Sequence, residues 1–298
     1  MKILIATDGS KTAIEATKAV RALGEDNPID ATVLMVSYDP RASTMQPWAP
    51  EWIEQEDARA QAILSDAKQI LDSTCKSVSL VHAAGTTVPT ILNHAKKLRV
   101  DLIVVGAKGH TAIRRLLLGS VSDSVASRAQ CSVLVVRPSD HEKFRRVAIG
   151  YDKSTASREA VAELLDYRMD RYIDVDVVSV AQQPFPYVGD GYVGPAVMLQ
   201  PEQIESIAEI NERIASTIAD QFPRTRSFVP VASHVGDALV QAAEENKCDL
   251  VVVGDTGHSA VGELLLGSTS KYVLLHATCS CWISRHHSKS SESEYLVH

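Results

Sequence analysis

Two stretches of the chain carry glycines and hydroxyls at a spacing suited to holding an anion. The first reads Gly106-Ala107-Lys108-Gly109, nine residues, then Gly119-Ser120-Val121-Ser122. The second reads Gly254-Asp255-Thr256-Gly257, nine residues, then Gly267-Ser268-Thr269-Ser270. A residue without Cβ lets backbone N–H groups come close to a phosphate oxygen. Gly119 and Gly267 each precede a helix-like run, Val121–Ala129 and Lys271–Ala277, whose start adds unpaired N–H groups and the positive end of a helix dipole. The pattern predicts a phosphate cradle. It is neither a P-loop nor the dinucleotide fingerprint, because the lysine of the one and the close glycine spacing of the other are missing.

Two carboxylates, Asp8 and Asp152, follow short apolar runs at Ile3–Ala6 and Val147–Ile149. A carboxylate repels phosphate, so each would face a ribose hydroxyl, a base donor or a bridging metal ion. Bracing its own loop is the alternative. His110 and His258 follow the second glycine of each motif, as phosphate donors or as loop braces.

The elements that position these residues occur twice. Asp101–Ser120 and Asp249–Ser268 match at thirteen of twenty positions with a shift of 249 − 101 = 148, and Ile3–Ser10 matches Val147–Ser154 with a shift of 147 − 3 = 144. The chain is a duplication. Each half reads as an apolar run, then Asp-x-Ser with Ser10 or Ser154 placed to cap a helix over Lys11–Leu23 or Thr155–Met169. A β-branched run follows, Thr32–Ser37 or Tyr172–Ala181, and then a loop and a long amphipathic helix, Glu51–Thr74 or Pro201–Phe222. The fourth strands, Leu102–Val105 and Leu250–Val253, are wholly apolar, as parallel strands covered on both faces are. Alternating strands and helices predict an α/β fold with an open parallel sheet in each half. In such sheets ligands sit beyond the carboxyl ends of the strands, where connections diverge. The expected domains are 1–140 and 144–286, joined by the polar stretch Pro138–Lys143, with 287–298 a disordered tail.

The spaced glycine motif, with Ala6-Thr7-Asp8 at the end of the first strand, resembles the universal stress protein family over nearly the whole chain. The resemblance implies a five-stranded parallel sheet per half, of the adenine-nucleotide alpha-hydrolase-like kind, and the ATP-binding branch of the family. Carried over by position, Ala6, Thr7 and Asp8 would flank adenine and ribose, and Ser37 would meet the adenine edge. Val105, Gly106 and Gly109 would line ribose and phosphates, and Gly119, Ser120, Val121 and Ser122 would hold the phosphate tail. The matching positions of the second half are Gly150, Asp152, Val253, Gly254, Gly257, Gly267, Ser268, Thr269 and Ser270. The ligand implied is ATP, ADP or AMP, with Mg2+ carried on the nucleotide. The resemblance also implies pairing through the last strands, Ser132–Arg137 and Ser280–Arg285, which two copies on one chain can form internally as a pseudo-dimer. A further homodimer is open.

The second half departs from the motif. Asp255 stands where the first half has Ala107, and Thr256 where it has Lys108. Two units of charge at roughly 6 Å in an effective dielectric near 20 are worth about 2–3 kcal/mol each before salt and hydration reduce them. Tyr151 replaces Thr7 and Lys153 replaces Gly9, and Lys153 offsets part of the change. Weaker nucleotide binding in the second half is expected, the alternative being that Asp255 points to solvent and both sites fill.

Composition bounds the rest. The 298 residues carry a formal net charge of −7, which disfavours nucleic acid and acidic lipid as partners. Basic clusters such as Lys96-Lys97 read as solvated helix faces. Five scattered cysteines, Cys75, Cys131, Cys248, Cys279 and Cys281, give no paired zinc spacing and fit a reducing cytoplasm. No apolar run reaches the ~18 residues that would span a bilayer. The function expected is a stress-response or regulatory protein that binds ATP with no evident catalytic apparatus, the site most intact in the first half. A slow ATP hydrolase and a scaffold without nucleotide are the alternatives, since Lys108 and Asp8 are the only identifiable candidates for catalysis.

Overall fold

A computed structural model describes residues 1–24, 28–38, 50–108, 118–139, 143–167, 169–183, 188–189, 192–193, 198–255 and 266–285. The first half runs β1 (Lys2–Thr7), α1 (Lys11–Gly24), β2 (Asp30–Ser37), α2 (Pro50–Leu71), β3 (Ser77–Ala84), α3 (Thr87–Leu98), β4 (Leu102–Gly106), α4 (Ser120–Arg128) and β5 (Ser132–Val136). The second half repeats it as β6 (Arg146–Gly150), α5 (Thr155–Asp166), β7 (Asp174–Val178), then short pieces β8 (Ala181–Gln182), β9 (Val188–Gly189) and β10 (Tyr192–Val193). It continues with α6 (Pro201–Ala219), β11 (Arg224–Phe228), β12 (Val231–Ala232), α7 (Val235–Glu245), β13 (Leu250–Gly254), α8 (Ser268–His276) and β14 (Ser280–Ser284).

The five-stranded sheets of the two halves join through their last strands into one sheet. Ten strands lie in the order β11-β7-β6-β13-β14-β5-β4-β1-β2-β3. Within each half the pairs are parallel, and the halves meet where β14 runs antiparallel to β5, with Trp282 opposite Leu134. In both halves the first and fourth strands are neighbours, β1 beside β4 and β6 beside β13. That neighbourhood is the switch point, because the chain leaves these two strands toward opposite sides of the sheet.

The apolar fourth strands behave as expected of central parallel strands. Leu102, Ile103 and Val104 are fully buried, as are Leu250 and Val251. Alternate residues feed two apolar layers, one under α1, α2, α5 and α6 and the other under α3, α4, α7 and α8. At the centre of the first layer Trp282 meets Tyr167 edge-on, ring centroids 4.5 Å apart. This contact joins α5 to the seam strand. Tyr172–Ala181 is not one strand. It divides into β7 and β8 at Ser179, whose hydroxyl lies 2.8 Å from the Tyr151 carbonyl and 2.7 Å from Asn211 Oδ1.

Candidate functional site

At the carboxyl ends of β6, β7 and β13 a cavity of about 700 Å³ opens, a size that accepts an ordinary cofactor. Its apolar wall comes from Val178, Val180, Ile207, Ile210, Leu239 and Val253. Its polar floor comes from Asp152, Lys153 and the turn Gly267–Ser270 that opens α8. Of the second-half residues expected at a site, Gly150, Asp152, Val253, Gly254, Gly267, Ser268, Thr269 and Ser270 all line this cavity. Gly257, like Gly109, His110 and His258, lies outside the described residues.

The turn owes its shape to a hydrogen bond across the motif. Gly267 N–H donates to the Asp255 carbonyl at 2.7 Å, and Gly119 N–H donates to the Ala107 carbonyl at the same distance. These two amides are therefore engaged inside the fold, contrary to the expectation that they would be open donors. The first intrahelical bonds run from Lys271 to Gly267 and from Asp123 to Gly119. The N–H groups of Ser268, Thr269 and Ser270, and of Ser120, Val121 and Ser122, thus belong to the turn that an α-helix cannot satisfy internally. No side chain caps either helix. These amides, with the positive helix end behind them, form an anion-binding surface.

Two of the expected phosphate donors work elsewhere. Ser122 Oγ donates to the Gly106 carbonyl at 2.6 Å and Ser270 Oγ to the Gly254 carbonyl at 2.5 Å. Both hydroxyls pin the helix start to the end of the fourth strand. The glycines Gly106 and Gly254 also answer to packing. A Cβ on Gly106 would lie 2.7 Å from the backbone of Thr12, and one on Gly254 would lie 2.7 Å from the backbone of Ala156. The absent side chains make room for the starts of α1 and α5.

Asp8 and Asp152 brace their loops, as one of the two sequence readings allows. Asp8 Oδ1 accepts from Ser10 N at 2.9 Å and Asp152 Oδ1 from Ser154 N at 3.0 Å. The capping assignments also hold: Ser10 Oγ accepts from Ala13 N at 3.3 Å and Ser154 Oγ from Ser157 N at 3.1 Å. Between them, Gly9 has φ 78 and Lys153 has φ 66. The second half keeps the left-handed turn without the glycine that makes it easy. Thr7 is buried and its Oγ1 accepts from Gly9 N at 3.2 Å, while Ala6 closes β1 beside Val105 of β4.

The Ser37 side chain is engaged within the fold. Its hydroxyl lies 2.9 Å from Glu56 Oε1 and 2.9 Å from His82 Nε2, and its carbonyl accepts from Gly85 N at 2.9 Å. The strand alternation explains it. The matching second-half position, Ala181, is fully buried, and its neighbours Val180 and Gln182 line the cavity. Sequence reasoning missed these two, along with Ile207 and Ile210, whose spacing of three on an amphipathic helix was their one visible signal.

The added carboxylate of the second half is paired inside the protein. Asp255 Oδ2 lies 3.3 Å from Arg285 Nε, and the Arg285 side chain is 3% exposed. Burial pulls the Arg285 guanidinium below its ordinary value and Asp255 pulls it back. Asp255 serves a buried cation, so its negative charge is offset before it reaches the cavity.

A family model described as the universal stress protein family matches residues 1–137 and again 143–285. The chain is 28% identical over 304 residues to universal stress protein Rv2005c of Mycobacterium tuberculosis, covering 95% of this chain and 96% of that protein. It is 31% identical over 145 residues to universal stress protein YxiE of Bacillus subtilis, covering 46% of this chain and 98% of that one. The crystal structure of a universal stress protein from Archaeoglobus fulgidus shares the fold, with a TM-score of 0.67 at 17% identity over 95% of this chain and 96% of that chain. With both halves matched and the shared ten-stranded sheet, the chain belongs to the universal stress protein family as a tandem of two such domains.

Proposed function

We propose that the protein binds an adenine nucleotide at the carboxyl ends of its strands and acts as a stress-response or regulatory binding protein. The observation that carries this reading is the uncapped first turn of α8 opening into the 700 Å³ cavity. The amides of Ser268, Thr269 and Ser270 would take a phosphate tail. The apolar wall of Val178, Val180, Ile207, Ile210 and Leu239 suits a purine face, and Asp152 stands between the two for ribose. Mg2+ would arrive on the nucleotide, since among the described residues the lining offers one carboxylate and no cluster of ligands.

The first half supplies the same frame: α4 starts uncapped, Gly119 closes onto Ala107, and Asp8 braces the turn as Asp152 does. Both halves are proposed to bind, the first more tightly, since it holds Lys108 and has Ala107 where the second half has Asp255, while the pairing of Asp255 with Arg285 keeps that carboxylate engaged. Calorimetry of nucleotide-stripped protein with ATP, ADP and AMP tests the proposal, with saturable heat expected. Absence of heat with all three at millimolar ligand overturns it.

A further inference from the structure

At the opposite end of the sheet, a second cavity of about 370 Å³ is lined by Lys96 and Arg99 from the end of α3, Arg128 from the end of α4, and Gln130 and Cys131 ahead of β5. No carboxylate among the described residues lines it. Among the described residues, no ion pair involves any of the three cations. All three are exposed, and the nearby Asp101 carboxylate accepts from Lys2 N at 2.8 Å. In a chain of net charge −7, this is a concentration of one sign with a concave floor beneath it, which focuses its field.

The duplication supplies an internal control. The shift of 148 that relates Asp101 to Asp249 relates Lys96 to Glu244, Lys97 to Glu245, Arg99 to Lys247 and Arg128 to His276. The backbone agrees: Arg99 and Lys247 both take the left-handed conformation after their helices, φ 51 and φ 53. Four positive charges in the first half therefore face a net of −1 in the second, His counted neutral. Cations at a helix C-terminus complement its dipole, yet α7 forms with no basic residue in its last turn. The fold itself does not require them.

We propose that this first-half cavity is a binding site for a small soluble anion carrying two or more phosphate-type groups, separate from the nucleotide cavity. The guanidinium of Arg99 and the ammonium of Lys96 at the end of α3, with the guanidinium of Arg128 at the end of α4, grip such a ligand from two helix ends. The Gln130 amide adds a neutral donor. One phosphate engages one cation at a time, so a ligand with several phosphates gains most from the cluster.

The test uses the full chain and inorganic tripolyphosphate as probe. Calorimetry shows saturable binding that weakens with added salt, and amide hydrogen exchange slows over 96–101 and 128–132. In Lys96→Glu/Arg128→His, which installs the side chains that the second half carries, affinity falls at least about tenfold, or about 1.4 kcal/mol. Lys96→Gln/Arg128→Gln, which removes charge without reversing it, shows the same loss should the first variant fail to fold. Equal affinity in a folded variant, or slowed exchange confined to Ser120–Ser122 and Ser268–Ser270, overturns the proposal. Vesicles bearing a phosphoinositide separate the ligand's source. Parent protein that binds tripolyphosphate but stays in the supernatant identifies a free solute, and charge-dependent pelleting reassigns the cleft to a headgroup and overturns the soluble ligand.

Discussion

Arg285 reaches out of the second half to donate to the backbone carbonyl of Ala126 in the first, at 2.7 Å. Its copy Arg137 reaches back to the carbonyl of Leu274 at 2.9 Å, and positions 126 and 274 are themselves copies, 148 apart. Ser132 and Ser280 complete the exchange, each accepting the backbone N–H of the opposite arginine, at 2.8 and 3.1 Å. The seam between β5 and β14 is thus a two-fold exchange made within one chain, and the arginine of the second half also pairs with Asp255.

Arg285→Ala removes a buried guanidinium that donates to the Ala126 carbonyl and pairs with the half-buried Asp255. Losing the donor to a buried carbonyl costs about 1–3 kcal/mol. The exposed seam pair Lys271–Asp123, with side chains 36% and 37% exposed, is worth at most about 1 kcal/mol. Urea unfolding of Arg285→Ala and Lys271→Ala checks the contrast, and equal losses would show that the seam does not depend on the buried arginine.

Proline at the first position of a helix keeps the helix and removes one N–H. Gly267 and Gly119, with ψ 156 and 148, already have the extended conformation that a following proline needs. Ser268→Pro is expected to leave the melting temperature near that of the parent and to weaken nucleotide binding in the second half by about tenfold, the worth of one hydrogen bond to a charged group. Ser120→Pro does the same in the first half. Calorimetry of each variant reads the two sites separately, and Ser268→Ala separates the hydroxyl from the amide.

Gly106→Ala places a methyl 2.7 Å from the Thr12 backbone. Overpacking of this kind costs about 1–3 kcal/mol. Ser122→Ala removes the donor to the Gly106 carbonyl and costs about 1–2 kcal/mol. Both losses belong in denaturation curves. A change in nucleotide affinity without a change in stability would return these residues to the ligand.

Burial pushes the Cys131 and Cys248 thiols up to about 12 and the Cys75 thiol up to about 11, from an ordinary 9.0. Desolvation of the thiolate is the leading cause in each. The folded protein holds these protons more tightly than the unfolded chain. Their contribution is therefore complete below pH 9 and is lost as pH rises through 11 to 12. Thiol titration with a chromogenic disulfide at neutral pH is expected to be slow in the native protein and complete in urea. Rapid native labelling at Cys248 would contradict the burial.

The sequence alone established the duplication and the α/β class, and it pointed to residues that line the second-half cavity. Repetition, the β-branched or wholly apolar runs and the Asp-x-Ser caps are local signals, and physical chemistry translates them directly into strands, helices and turns. Gly267 through Ser270 were legible because a glycine before Ser at a helix start has few other uses. The tertiary structure decided what each group has left to offer. Gly106 lacks a side chain because α1 passes over it, Ser122 spends its hydroxyl on a strand carbonyl, and Asp255 answers an arginine 30 residues further on. The Ser37 hydroxyl turns to Glu56 and His82, since one step along a strand reverses the face. The sign of the charge at the far end of the sheet was printed in Lys96, Lys97, Arg99 and Arg128, yet only packing brings α3 and α4 together over one cleft. Hydrogen bonds and clefts join residues distant in sequence, and which partner claims a polar group is settled by folding.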